Sequence, residues 1–229
     1  MNWLKKIITD CDTGLNRCMG TPHSSINTEN LSMPTMLPGP YLTAAVIDQS
    51  GSMAYKDFRP SRIEAGKEAI IAFAAKRAML SPKDQLTIIG FNTDANVYLP
   101  WSSVCDCQAI SRALCQIEAD GGTELAQGLM AAQLMILTAV NPGYKLRILL
   151  LTDGHGGDPI ELAEYVKAHG ILIQVIGIGG GRLDVNEIVL KAVATTDSSG
   201  FIHYWFIKDS QSLVEHYEKL STGIAFRRT

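Results

Sequence analysis

No run of apolar residues in this chain approaches the roughly 20 needed to cross a bilayer as a helix. The opening stretch "MNWLKKIITDCDTG" is too short in its apolar part, and too charged, for a signal peptide. Leu15-Asn16-Arg17, ahead of Cys18, is not a lipoprotein cleavage pattern. No membrane partner is expected, and a cytoplasmic protein is. Cysteines are few and odd in number: Cys11, Cys18, Cys105, Cys107 and Cys115. Five of them do not make a secreted disulfide framework. Cys105-Asp-Cys107 lacks the two-residue gap of a zinc knuckle, and no second pair lies at zinc-ribbon spacing. Buried or half-buried thiols in a reducing compartment are expected instead. Charge of one sign is missing as well. Twenty Lys and Arg face 23 Asp and Glu, for a net charge of −3. Basic residues are scattered, Arg227–Arg228 reads as a solvated tail, and nucleic acid is not an expected partner. Neither an internal repeat nor a low-complexity tract stands out.

What is present suits one large soluble domain. The 229 residues are 46% hydrophobic and 19% charged. A chain of this length buries roughly three quarters of the surface it exposes when unfolded. Residues 1–40 differ from the rest. Trp3, Leu4, Ile7 and Ile8 fall at helical spacing, and Gly20 to Pro40 is rich in Ser, Thr, Asn and Pro. A short helix and an irregular arm strapped on the domain's own surface are expected there, a partner-docking arm being the alternative, with the domain itself over 41–229.

From Tyr41 the pattern alternates. "YLTAAVID", "DQLTIIGFN", "YKLRILLLTD", "ILIQVIGIG" and "FIHYWFI" read as strands. "ANVYLP" follows the second too closely for a crossover and is expected to pair antiparallel at an edge. "SRIEAGKEAIIAFAAKRAML" is a helix with Ser61 and Glu64 at capping-box spacing. "SVCDCQAISRALCQIEA", "TELAQGLMAAQLMILTAV" and "SQSLVEHYEKLSTG" are helical too. "PIELAEYVKAHG" is expected to be capped by Asp158 and closed by Gly170. A further helix is framed by Asp184 and Glu187 and runs to about Thr196. The expected fold is a doubly wound, Rossmann-like α/β domain. It has a mostly parallel six-stranded sheet, one antiparallel edge strand and helices on both faces.

Ligands of such sheets bind beyond the carboxyl ends of the strands, at the switch point. The first strand ends in Asp48-Gln-Ser50-Gly-Ser52, "RILLLTD" ends in Asp153, and "ADGG" precedes Thr123. If the strand order reverses between those two strands, Asp48 and Asp153 face one crevice. Two carboxylates and three hydroxyls suit a hard divalent cation, which takes oxygen ligands and keeps some waters. Residues 48, 50 and 52 alternate, so in an extended loop their side chains point the same way. Other readings fit less well. A nucleophilic Ser50 lacks the G-x-S-x-G elbow. A phosphate cradle would need more than one glycine and a following lysine. A polar turn explains each residue singly but not the set. Glu124 reads as a first-turn helix acid, and His155 as a loop residue. His169, His203 and His216 lie on separate elements and read as structural or exposed. "GIGGGRLD" has Arg182 where a dinucleotide fingerprint needs glycine, and reads as a flexible turn.

"DQSGS" at 48–52, "GGT" at 121–123 and "LLLTDG" at 149–154 together resemble the metal-ion-dependent adhesion site of von Willebrand factor A domains. The resemblance covers roughly residues 41–222. It implies that Ser50 and Ser52 ligate the metal directly and Thr123 directly or through water. Asp48 and Asp153 act mainly through water or hydrogen bonds. The ion implied is Mg²⁺, with Mn²⁺ as a substitute, and the remaining position takes a carboxylate from a protein partner. Without a signal segment, the expectation is an intracellular member, of the kind found in multiprotein assemblies with AAA+ ATPases, chelatases or stress-response complexes. The expected function is therefore capture of a partner's acidic residue through bound Mg²⁺, not enzymatic turnover. The alternatives are a structural subunit that makes contact through its N-terminal arm with the metal site unused, or a metal-assisted hydrolase or phosphotransferase.

Overall fold

A computed structural model describes residues 39–139 and 142–222. The helix and arm expected over 1–40 lie, apart from Gly39 and Pro40, outside the described residues, as does Arg227–Arg228. Six strands form one sheet: β1 (Tyr41–Asp48), β2 (Gln85–Phe91), β3 (Ala95–Ser103), β4 (Lys145–Thr152), β5 (Leu172–Ile178) and β6 (Tyr204–Ile207). Their order is β3-β2-β1-β4-β5-β6. Only β3 runs antiparallel. The chain moves outward from β1 through β2 to β3, then returns to β4 on the other side of β1. The switch point is thus between β1 and β4.

The helices are α1 (Arg62–Leu80), α2 (Cys107–Cys115), α3 (Leu125–Ala139), α4 (Ile160–Ala168), α5 (Glu187–Val193) and α6 (Ser210–Ser221). Among the described residues no helix is long and apolar enough to cross a membrane. The two sheet faces follow from strand alternation. Ala45, Ile47, Leu149 and Leu151 point into one core with α1, α2 and α6. Ala44, Val46, Ile148 and Leu150 point into a second core with α3, α4 and α5. Both central strands are buried throughout most of their length, which is why they read as continuous apolar runs.

Several boundaries differ from the sequence reading, each for a local reason. β3 extends to Ser103 past Pro100, and its register against β2 shifts between Leu86 and Ile88. That irregularity accommodates a proline, which has no N–H for the ladder. α2 is shorter than expected because the Asp106 carboxylate accepts from Ala109 N and starts it late. α5 is capped by Asn186, which accepts from Val189 N. Asp184 instead belongs to a 3-10 turn over Arg182–Asp184. Asp158 is not the cap of α4: Pro159 holds that position without a side-chain bond, and Asp158, one residue earlier, accepts from Ile160 N at 3.1 Å. Gly170, at φ 73°, closes the end of α4 as the sequence suggests. Of the expected buried or half-buried thiols, Cys105 and Cys107 are half-buried, but Cys115 is exposed.

α6 packs on α1 and brings His216 against the Trp205 ring, 4.7 Å between centroids. The His216 Nε2 is buried without a hydrogen-bond partner. Burial, helped by the nearby Lys219 charge, pushes this imidazole from 6.5 down to about 4. The unfolded chain therefore binds a proton that the folded one refuses. This stability term is fully present above pH 6.5 and fades as pH falls toward 4, an effect of about 2–3 kcal/mol. Urea unfolding across that window should show the loss, and His216→Phe should flatten the profile; an equally steep profile in the variant would refute the assignment.

Candidate metal centre

Because β1 and β4 are parallel neighbours with Ile47 opposite Leu151, their ends bring Asp48 beside Thr152. The Thr152 hydroxyl donates to Asp48 Oδ2 at 2.5 Å, and Ser50 N donates to Oδ1 at 2.8 Å. Asp48 is fully buried. Burial pushes its carboxyl up to about 6, against those same hydrogen bonds, which hold it down. Asp48 thus sits beneath the site and orients the loop above it.

That loop is tied on both sides. Gln49 N donates to Phe91 O at 2.6 Å, and Asp120 N donates to Gln49 O at 2.6 Å. Gly51 N donates to Gly121 O at 3.1 Å. The Gln49 side chain reaches Tyr98 Oη and Glu118 O. A 3-10 turn over Gly51–Ala54 follows, with Met53 buried as its anchor. The loop is therefore held in place rather than left as a free polar turn.

A cavity of about 900 Å³ lies over this floor, lined by Ser50, Ser52, Thr123 and Asp153 among others. The Ser52 hydroxyl is 2.5 Å from Asp153 Oδ2 and 3.0 Å from Ser50 Oγ. A carboxylate only accepts, so the Ser52 proton goes to Asp153. What Ser52 has left for a ligand is a lone pair. Thr123 is positioned by a close approach: a Cβ on Gly156 would lie 2.2 Å from Thr123 O, and Gly156 has φ 124°. Only glycine lets the loop after β4 lie against Thr123 in this way.

The expected residues thus come to one place, four on the cavity wall and Asp48 beneath it. Three further contributors were not expected. Thr152 is the donor that fixes Asp48. Arg62 is buried, pairs with Asp57 at 2.5 Å, and lies 3.5 Å from Asp153 Oδ2. Its guanidinium holds the Asp57 carboxyl below the usual carboxylate range. A basic residue at the first position of a helix, where cations are disfavoured, is the signal that could have exposed it. Asp184, in the turn after the glycine run, lines the same cavity. So "GIGGGRLD" is part of the wall, not merely a turn. His155 lines the cavity too, with Nε2 3.1 Å from the Asp184 carbonyl oxygen. That contact requires Nε2 to carry the proton. Glu124 N donates to Asn92 O at the start of α3, and its carboxylate lies against Gly157.

The donor set is all oxygen, which suits a hard cation. No group of three or more His, Cys, Asp or Glu suited to a metal occurs among the described residues. A cation held here would use hydroxyls beside carboxylates. Arg62 offsets part of the charge of Asp153 and Asp57.

Residues 43–155 match the model of the family described as von Willebrand factor type A domain. A calcium-activated chloride channel regulator 3A-1 of Mus musculus is 26% identical over 180 residues, covering 77% of this chain. The chain spans only 18% of that relative's length. Among solved structures, the conserved hypothetical protein BatB from Bacteroides thetaiotaomicron superposes with a TM-score of 0.64 at 22% identity. That match covers 78% of this chain and 96% of the other. Proximal thread matrix protein 1 from the mussel byssus, with a zinc-occupied MIDAS motif, gives 0.66 at 19% identity. It covers 80% of this chain and 47% of the other. These structural likenesses concern the fold; the last also shows that a protein of this fold takes a divalent metal at that motif.

Thr152→Val keeps the shape of the side chain but leaves a buried Asp48 oxygen and the Gly154 N–H without their partner. The variant should lose about 2 kcal/mol of stability in urea unfolding. An unchanged midpoint would show that Thr152 does not hold Asp48.

Proposed function

Since residues 43–155 match the von Willebrand factor type A domain and the fold is that of such domains, we propose that this chain is a Mg²⁺-dependent protein-binding module that captures an acidic residue of a partner. Mn²⁺ would serve as a substitute. The observation that carries this reading is the direction of the Ser52 proton. By donating to Asp153 at 2.5 Å, Ser52 keeps a lone pair for a cation. Ser50, Ser52 and Thr123 would hold the ion through neutral oxygens. Asp48 and Asp153 would orient those hydroxyls and the ion's waters. When bound, the ion supplies a poorly neutralised positive charge at the cavity floor, to which a carboxylate from outside adds.

Arg62 supports the same division of roles. By pairing with Asp57 and approaching Asp153, it limits the negative charge the protein itself offers a cation. The shortfall favours an anionic ligand from a partner. The reading is of binding, not turnover: His155 turns its Nε2 to the Asp184 carbonyl rather than to either serine. A cytoplasmic setting within a multiprotein assembly belongs to this proposal.

A pull-down from the native cell tests it. The partner should be retained with Mg²⁺ or Mn²⁺ and lost with EDTA. Ser52→Ala should abolish retention while leaving unfolding stability within about 2 kcal/mol of the parent. A partner retained under EDTA and by Ser52→Ala would point to a structural subunit with an unused site. Phosphate-ester turnover lost in Ser50→Ala would point to an enzyme.

A further inference from the structure

The mouth of the cavity is not uniformly polar. Tyr55 and Leu183 line it beside Ser50, Ser52, Thr123 and Asp153. They are 60% and 99% exposed. Single exposed apolar side chains are ordinary on a protein surface. These two come from different loops, and each is fixed to the polar floor. Tyr55 N donates to Ser52 O at 3.1 Å, and the Arg62 guanidinium lies 5.1 Å from the Tyr55 ring centroid. Leu183 stands in the turn Arg182–Asp184, which is closed by Gly181 N donating to Asp184 Oδ2 at 2.8 Å. His155 binds the same turn through the Asp184 carbonyl. Ile188, 84% exposed, follows on α5.

Charge narrows what such a mouth accepts. Asp184 also lines it, as does Asp57 paired with Arg62. An ion on the floor attracts one carboxylate, while Asp184, which has no cation paired to it among the described residues, repels further negative charge beside it. A run of acidic residues is therefore a poor fit, and an isolated acid among apolar neighbours is a good one. In an extended segment, residues two apart project from the same face. An acid directed at the floor would then place the side chains two positions away against the rim.

We propose that the partner segment recognised here is a single Asp or Glu with an aliphatic or aromatic residue two positions before or after it. Tyr55 and Leu183 cover that apolar neighbour. This deepens the metal-dependent capture proposed above and rests on it. The floor supplies the requirement for an acid, and the rim supplies the choice among acids.

A random-peptide display library, selected on the whole chain in Mg²⁺ and eluted with EDTA, separates the two layers. The eluted clones should be enriched in Asp or Glu, with Leu, Ile, Val, Phe, Tyr or Trp two positions away. Leu183 is too exposed for its loss to affect folding, so Leu183→Ser is a clean variant. Both it and Tyr55→Ser should keep the acid and the EDTA elution but lose the apolar neighbour. Each should bind a peptide selected on the parent chain roughly tenfold more weakly, the effect of uncovering one large apolar side chain. Enrichment of an acid with no neighbour preference would overturn the proposal. So would an apolar preference that survives in the double variant. No acid enrichment at all would instead overturn the metal-dependent reading, and this inference with it.

Discussion

The hydrogen bond from Thr152 to the buried Asp48 joins the ends of two neighbouring parallel strands, and the site is assembled around that join. It forms because the chain winds away from β1 in one direction and returns beside it in the other. Parallel strands at a switch point have their carboxyl ends level and no helix between them. The polar residues that follow each strand must therefore meet. Asp48 lies too deep to contact a ligand itself. It acts by holding Ser50 N and by receiving Thr152 from below. Ser50, at the start of the loop over the floor, takes its position from this pair.

Much of this was legible in the sequence because the central strands bury both faces. A strand covered on both sides reads as an unbroken apolar run, and its end is abrupt. That is why "VIDQSGS" and "LLLTDG" mark the floor so clearly. The short gap before "ANVYLP" likewise showed that β3 had to turn back. What could not be read were contacts that depend on helix position. Arg62 looks like any residue opening a helix until Asp57 and Asp153 are placed on either side of it. Asp184 looks like a helix cap, and Asn186 takes that role instead. Carboxylate and amide caps two residues apart are chemically interchangeable, so only packing decides between them. Pro100 and Asp106 shifted element boundaries for the same kind of local reason.

The two ends of the sheet handle buried charge differently. At the end away from the site, Arg77 pairs with Asp84, both almost fully buried, at 2.6 Å. Tyr41 N and the Ser81 hydroxyl complete the Asp84 carboxylate. These hydrogen bonds offset part of the cost of burying the pair, although Arg77 Nη2 has no hydrogen-bond partner among the described residues. At the site end, Asp153 receives Ser52 and His155 N, and Arg62 only at 3.5 Å. Asp184 is exposed on the wall. Negative charge there is incompletely answered by the protein itself. The far end is not fully answered either, since Arg77 Nη2 is unpartnered and the buried Arg147 hydrogen-bonds, among the described residues, only to the Thr43 hydroxyl and the Leu220 carbonyl. What distinguishes the site end is that its charge faces an open cavity.

The glycine run after β5 shows how the wall around that open end is made. Gly179 and Gly180 pass close to Val185, Asp184 and Asp57, where a side chain would crowd them. The absence of side chains there lets Asp57 approach and pair with Arg62, and lets the next turn fold inward over the cavity. The same run therefore brings Asp184 and Leu183 to the rim. A segment that looks like a phosphate loop in the sequence is better explained as a way of setting a wall close to a charged floor. Its specificity then lies in Leu183, the residue it presents, rather than in its own backbone.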